Sequence, residues 1–217
     1  MRKLLLAAFG FVLVATTADF RLDSVDGLEF VNAKAEGVNY RGRRAVRLDP
    51  APGKNGNETL LAILPGSNFK NGTIQVDLAG APRPGAPPTS RGFIGIAFRV
   101  QQQGAKFECF YVRPTNSRSD DQLRRNHSAQ YISAPDFPWE RLRKENPGVY
   151  ESYVDLEAGA WTTLKIVVSG DTARLYVNNA KEPCLIVNDL KLGDSEGRIA
   201  LWSDSTTDGF FSNLTVH

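Results

Sequence analysis

The chain is poor in the residues that most catalytic and metal-bound proteins depend on. It has two cysteines, two histidines and one methionine in 217 residues. No CxxC pair or Cys/His cluster is present, so zinc has no ligand framework to read. GxSxG, HExxH, P-loop and dinucleotide fingerprints are also absent, which removes the signatures of the chemistries they carry. Long helical periodicity and internal repeats are missing. So is net charge: the formal +2 rests on Arg2 and Lys3, and the remaining basic side chains balance the 24 acidic ones. A balanced surface gives no basis for non-specific binding to nucleic acid or anionic membrane.

The balance depends on what Met1–Ala18 is. MRKLLLAAFGFVLVATTA sets two cations before an apolar run, with small residues Thr16 and Ala18 at its end. That order predicts a secretory signal peptide, too short to span a bilayer. No cysteine stands at the cut for a lipid anchor, and no later stretch is long and apolar enough to cross a membrane. Asp19–His217 is then expected to be one secreted or periplasmic domain. An oxidising compartment permits a disulfide between Cys109 and Cys184. Spacing does not show that the two meet, and free buried thiols are the plainer expectation.

What the sequence does contain is strands. GTIQVDL (Gly72–Leu78) alternates apolar and polar residues, as do FIGIAFRV (Phe93–Val100) and WTTLKIVVS (Trp161–Ser169). Shorter strands are predicted at Leu28–Ala33, Ala45–Leu48, Leu60–Leu64, Phe107–Arg113, Tyr150–Leu156, Ala173–Asn178, Cys184–Val187, Arg198–Trp202 and Phe210–Val216, with turns at Asn55-Gly56 and Gly170-Asp171. Gly80–Gly92 holds four prolines and is expected to be an exposed loop outside the sheets. One short helix is predicted from Trp139, after the start signals Asp136 and Pro138. Ten or more short strands argue an all-β sandwich of two antiparallel sheets.

Four stretches carry a resemblance: FKNGTIQVDL (Phe69–Leu78), GFIGIAFRV (Gly92–Val100), AWTTLKIVVSGDTARLYVNN (Ala160–Asn179) and EGRIALWSDSTTDGFFSNLTV (Glu196–Val216). In this order they resemble the concanavalin A-like lectin/glucanase superfamily, nearest its laminin G-like and secreted 3-keto-disaccharide hydrolase-like domains. The resemblance covers Leu28–Val216. It implies a jelly roll whose concave face commonly holds sugar. Two departures bear on activity. The Glu-x-Asp-x-x-Glu of the related glucanases is absent, and Trp202-Ser203-Asp204 stands where the keto-disaccharide hydrolase-like domains tend to have glutamine and histidine.

Phe107–Trp139 concentrates the side chains that could meet a ligand. Sugars are held by forked donors and by rings lying on C–H faces. Arg99, Tyr111, Arg113, Asn116, Arg125, Asn126, Gln130, Tyr131, Trp139 and Trp202 are of those types, and strand alternation puts Arg99, Cys109, Tyr111 and Arg113 on one face. The alternative for each is a tie within a long polar loop. His127 is the candidate general base or acid, with Glu108 and Glu140 as its nearest carboxylates in sequence; its alternative is a histidine that bonds loop backbone. Asp204 and Asp208 bracket a turn that could take calcium through oxygens, though turn-forming aspartates explain it as well. Two functions remain open, a carbohydrate-binding module and a glycoside hydrolase or lyase acting on keto or plain sugars. A protein-binding laminin G-like module is a third.

Overall fold

The computed structural model describes residues 18–54 and 58–217. The predicted signal peptide, apart from Ala18, and the predicted Asn55-Gly56 turn lie outside them.

The strands in chain order are β1 (Ala18–Phe20), β2 (Glu29–Val31), β3 (Ala33–Tyr40), β4 (Arg43–Pro50), β5 (Thr59–Ile63), β6 (Gly72–Pro82), β7 (Ile94–Gln101), β8 (Lys106–Val112), β9 (Ala129–Ala134), β10 (Glu151–Ser152), β11 (Thr162–Ser169), β12 (Thr172–Val177), β13 (Leu185–Val187), β14 (Arg198–Asp204) and β15 (Thr207–Val216). They form two antiparallel sheets, giving the all-β jelly-roll sandwich that the alternation predicts. The first sheet runs β13-β12-β11-β6-β15-β4-β3, with β1 also paired to β15. The second runs β10-β9-β8-β7-β14-β5-β2.

The period of two explains the packing. In β11 Leu164, Ile166 and Val168 are buried, while Thr163, Lys165 and Val167 between them are only half-buried. Leu164 pairs with Val76 and Ile166 with Ile74 on β6. These rows meet Ile96, Phe98, Phe110 and Tyr131 of the second sheet in one continuous core. Each fully buried aliphatic side chain contributes about 1.5–3 kcal/mol. The second sheet is unusual in having its outer face covered too: Leu61, Ile63, Ala97, Cys109, Tyr111, Ala200 and Trp202 form a separate buried cluster there.

Four expectations need correction. The connection between β8 and α3 is not all loop. It contains strand β9, bonded to β8, and two helices besides the expected one: α1 (Pro114–Ser117) and α2 (Gln122–Arg125) precede α3 (Trp139–Glu145). The proline-rich segment does enter a sheet, since β6 runs through Pro82 with Pro82 opposite Thr207; proline is tolerated there because the strand ends at it. The predicted strand Tyr150–Leu156 shrinks to Glu151–Ser152.

The fourth correction concerns Arg99, which does not share a face with Arg113. It adopts φ 53°, and the pairing of β7 shifts register on both sides, between Phe98 and Gln101 against β8 and between Arg198 and Ala200 against β14. This is a β-bulge, and its extra residue inverts the alternation that follows. Val100 therefore joins the outer cluster, while the Arg99 guanidinium is fully buried and donates to the carbonyls of Lys70, Gly170 and Gly193.

Both cysteines are free. Cys109 is buried on the outer face of the second sheet, and Cys184 is half-buried beside β13 of the first.

Candidate functional site

A cleft of about 810 Å³ lies over the outer face of the second sheet. Its floor follows from one glycine. Gly95 on β7 pairs with Tyr111 on one side and Trp202 on the other. A Cβ at Gly95 would lie 2.1 Å from the Phe110 carbonyl oxygen and 2.6 Å from Tyr111 Cβ. With no side chain there, the Tyr111 and Trp202 rings stack across the gap at 4.6 Å between centroids and 28° between planes. Trp202 is only 5% exposed, and its indole N–H has no partner among the described residues. A buried donor left unmatched is costly unless something fills it. Burial pushes the Tyr111 phenol up to about 12, against the pull of Arg113, so it stays neutral.

Beside the floor stands Arg113, 4% exposed. It donates to Tyr111 Oη at 2.8 Å, Gln130 Oε1 at 3.1 Å, the His127 carbonyl at 3.1 Å and Glu151 Oε1 at 3.2 Å. Its guanidinium lies 5.6 Å from the Trp139 ring centre, and Arg143 lies 4.4 Å from the same ring. Glu151 is the shared acceptor of this cluster. It takes Arg143 Nε at 2.8 Å on Oε2 and a second bond from Arg143 Nη2 on Oε1, and His127 Nε2 lies 3.4 Å from Oε2. Burial raises the Glu151 pKa, but the bonds and charges of Arg143, Arg113 and His127 outweigh it and hold the carboxyl below its ordinary value. Burial pushes His127 down; Glu151 opposes this, and Arg143 and Arg113 add to it, so the imidazole is held neutral at pH 7.

The rim comes from two loops tied together. Thr115 N–H donates to the Arg91 carbonyl at 3.3 Å, and Arg124 Nη2 donates to the Thr115 carbonyl at 3.2 Å. Arg124 Nε also reaches Asn116 Oδ1 at 3.0 Å, and Asn116 Nδ2 reaches the His127 carbonyl at 3.1 Å. Asp121 caps α2 through the amides of Leu123 and Arg124. On the far wall Asp204 accepts from the hydroxyls of Thr206 at 2.8 Å and Thr207 at 2.6 Å. Burial raises its pKa despite these bonds.

Seven of the predicted site residues meet in this cleft: Tyr111, Arg113, Asn116, His127, Trp139, Glu140 and Trp202. Gln130 lies one layer beneath, opposite Tyr111 in register and bonded to Arg113. Arg125 and Asn126 face elsewhere, Arg125 against the Tyr153 ring and Asn126 bonded to Gln122. Tyr131 and Glu108 belong to the inner side. Tyr131 pairs with Phe110 in the main core and donates to Glu108, whose other oxygen takes the Leu192 amide at 2.6 Å. Glu108 therefore does not partner His127, and Arg99 does not reach the cleft. The carboxylate at His127 is Glu151, which the sequence did not single out. Arg91, Phe93, Arg124 and Arg143 also line the cleft unpredicted. The turn acids engage separate partners, Asp208 bonding Arg47 at 2.9 Å on the other sheet. Among the described residues no group of three His, Cys, Asp or Glu side chains could hold a metal, and no helix is long and apolar enough to cross a membrane.

The two sheets in this strand order form a jelly-roll sandwich with an aromatic cleft on one outer face. Many solved structures share this fold, among them the following three. A Bacillus subtilis protein of unknown function with a galectin-like fold aligns at TM-score 0.62 and 11% identity, over 92% of this chain and 94% of its own. The carbohydrate-binding module CBM66 from Bacillus subtilis aligns at 0.56 and 15%, over 88% and 96%. The exoplasmic/lumenal domain of VIP36 in its Ca²⁺/Man3GlcNAc-bound form aligns at 0.53 and 9%, over 87% and 82%. No family model and no curated protein matches the chain.

Proposed function

We propose that this chain is a secreted or periplasmic carbohydrate-binding protein that holds a glycan in the cleft over the second sheet. The observation that carries the reading is the aromatic lining of the cleft, with the Tyr111–Trp202 pair at its floor and the exposed Trp139 ring beside it. A sugar lying there would set its C–H face over the floor that these rings form. Trp139 and Asn116 would close on its edges. Two neighbours in fold, a carbohydrate-binding module and a glycan-bound lumenal domain, support the same ligand class.

The test is a glycan screen with purified Asp19–His217, followed by calorimetry on Trp139→Ala. Alanine removes an exposed ring of the cleft, so affinity should fall about 3–10-fold, the worth of one aromatic contact. A folded protein with no affinity for any glycan would sink the reading.

The second reading, a glycoside hydrolase or lyase, is favoured by the pairing of a neutral His127 with Glu151. A carboxylate that orients a neutral imidazole is how general bases are commonly set. Release of product from plain or 3-keto glycosides, abolished in His127→Ala, would establish it.

A further inference from the structure

We infer that the cleft is specific for acidic sugars, with a carboxylate or sulfate of the glycan seated between Arg91 and Arg124. The inference rests on the carbohydrate reading and narrows it to a ligand class.

Four guanidinium groups line the cleft: Arg91, Arg113, Arg124 and Arg143. They divide into two pairs. Arg113 and Arg143 converge on Glu151. Arg91 and Arg124 form no ion pair with any described carboxylate. The Arg91 guanidinium donates only to the carbonyls of Pro88 and Ser90. Arg124 donates only to Asn116 Oδ1 and to the carbonyl and hydroxyl of Thr115. Both are half-buried, and Thr115 holds the two loops that carry them in one place. Burial lowers the Arg91 pKa, and the charges of Arg124 and Arg113 lower it further, so the corner repels its own cations.

No acid of the cleft forms an ion pair with Arg91 or Arg124: Asp121 accepts from the amides that open α2, Asp204 accepts from Thr206 and Thr207, and Glu58 sets Oε1 3.7 Å from Lys54 while its buried Oε2 has no hydrogen-bond partner among the described residues. Glu140 is exposed on α3. An oxyanion on the ligand would supply the missing charge through forked, charge-assisted bonds, which arginine forms well with both carboxylate and sulfate. Next to it, the stacked rings would hold the sugar that carries the oxyanion.

Affinities for matched pairs test this: oligogalacturonate against its carboxyl-reduced neutral form, and a heparin oligosaccharide against its desulfated, N-acetylated form. Wild-type protein should prefer one acidic member by about tenfold or more at low salt, and the preference should shrink as salt rises. Which pair shows the preference separates carboxylate from sulfate. In Arg91→Gln/Arg124→Gln the preference should collapse, the acidic member binding no more tightly than its partner. Either single variant serves if the double fails to fold. Equal affinity within both pairs in wild type, the desulfated heparin form keeping its carboxylates, overturns the inference and leaves the carbohydrate reading standing. A preference unchanged in the variants, or polyphosphate bound as tightly as acidic sugar, also overturns it. Affinity for none of the glycans removes both readings.

Discussion

Glu151→Gln is the substitution with the clearest expected effect. Glu151 is 6% exposed and accepts from Arg113 and Arg143 with His127 against it. Glutamine keeps the volume and one acceptor oxygen but removes the charge. Two guanidinium groups are then left facing a neutral amide, one of them, Arg113, itself buried. Breaking a buried pair from one side costs about 3–5 kcal/mol, and the surviving acceptor argues for the lower end. For a domain of this size about 3 kcal/mol lowers Tm by roughly 6–12 °C. The pH dependence has a definite sign. The folded pKa of Glu151 lies below the ordinary 4.5, so its stabilisation is complete above that value and is lost as pH falls through the depressed folded value. His127 acts in the same direction over a higher window: its folded pKa lies below 6.5, so stability starts to fall once the unfolded histidine protonates. Glu108, raised by burial, works the other way, losing stability as pH rises through its folded value. Urea denaturation of wild type and variant from pH 3 to 8 measures all of this. The variant should be weaker at pH 7 and show a smaller acid-side drop below pH 4.5, the remainder coming from other carboxylates held low, such as Asp189. A loss under about 1 kcal/mol at pH 7, with the drop unchanged, would refute the assignment of Glu151 as the charge that holds this cluster together.

Three further outcomes are expected. Gly95→Ala places a methyl group 2.1 Å from a backbone oxygen, and overpacking of that kind should cost at least about 2 kcal/mol, read as a lower urea midpoint. Tyr131→Phe strips Glu108 of a donor and the Lys191 amide of its acceptor, and should cost about 1–3 kcal/mol, with cleft affinity unchanged. Cys109 is buried and its thiol held well above the ordinary value by burial, and burial puts Cys184 at about 11. Iodoacetamide at pH 8 should therefore label neither within minutes in native protein and both in denaturant, as counted by mass spectrometry.

The sheets were legible because their signal is local. The alternation in β6, β7 up to Phe98, and β11 reports burial residue by residue, and it gave the right face for Ile74, Ile96 and Leu164. Strand β9 was not legible: AQYISA sits among polar residues, and only its pairing with β8 makes it a strand. Arg99 was misplaced for a related reason, since one bulged residue leaves no mark in composition yet reverses the face. The floor of the cleft could be read from the small residue at Gly95, flanked in space by a tyrosine and a tryptophan far apart in sequence. Its charge relations could not. His127 meets Glu151 across a loop, a helix and two strand edges, while Glu108, much nearer to the hairpin, turns inward. Arg91 hid in a segment whose prolines read as a solvated rim.

The bulge at Arg99 has a consequence for how this domain could change over time. One buried guanidinium joins the turns at Lys70, Gly170 and Gly193, all at the end of β7 away from Phe93. An insertion in any of those turns would pull a carbonyl off a cation that water cannot reach. At the other end, residues 84–89 and 119–121 carry mostly local ties and exposed side chains. The sandwich is thus fastened at one end and open to revision at the other, so ligand preference can drift by rewriting the loops above the cleft while the framework stays as it is.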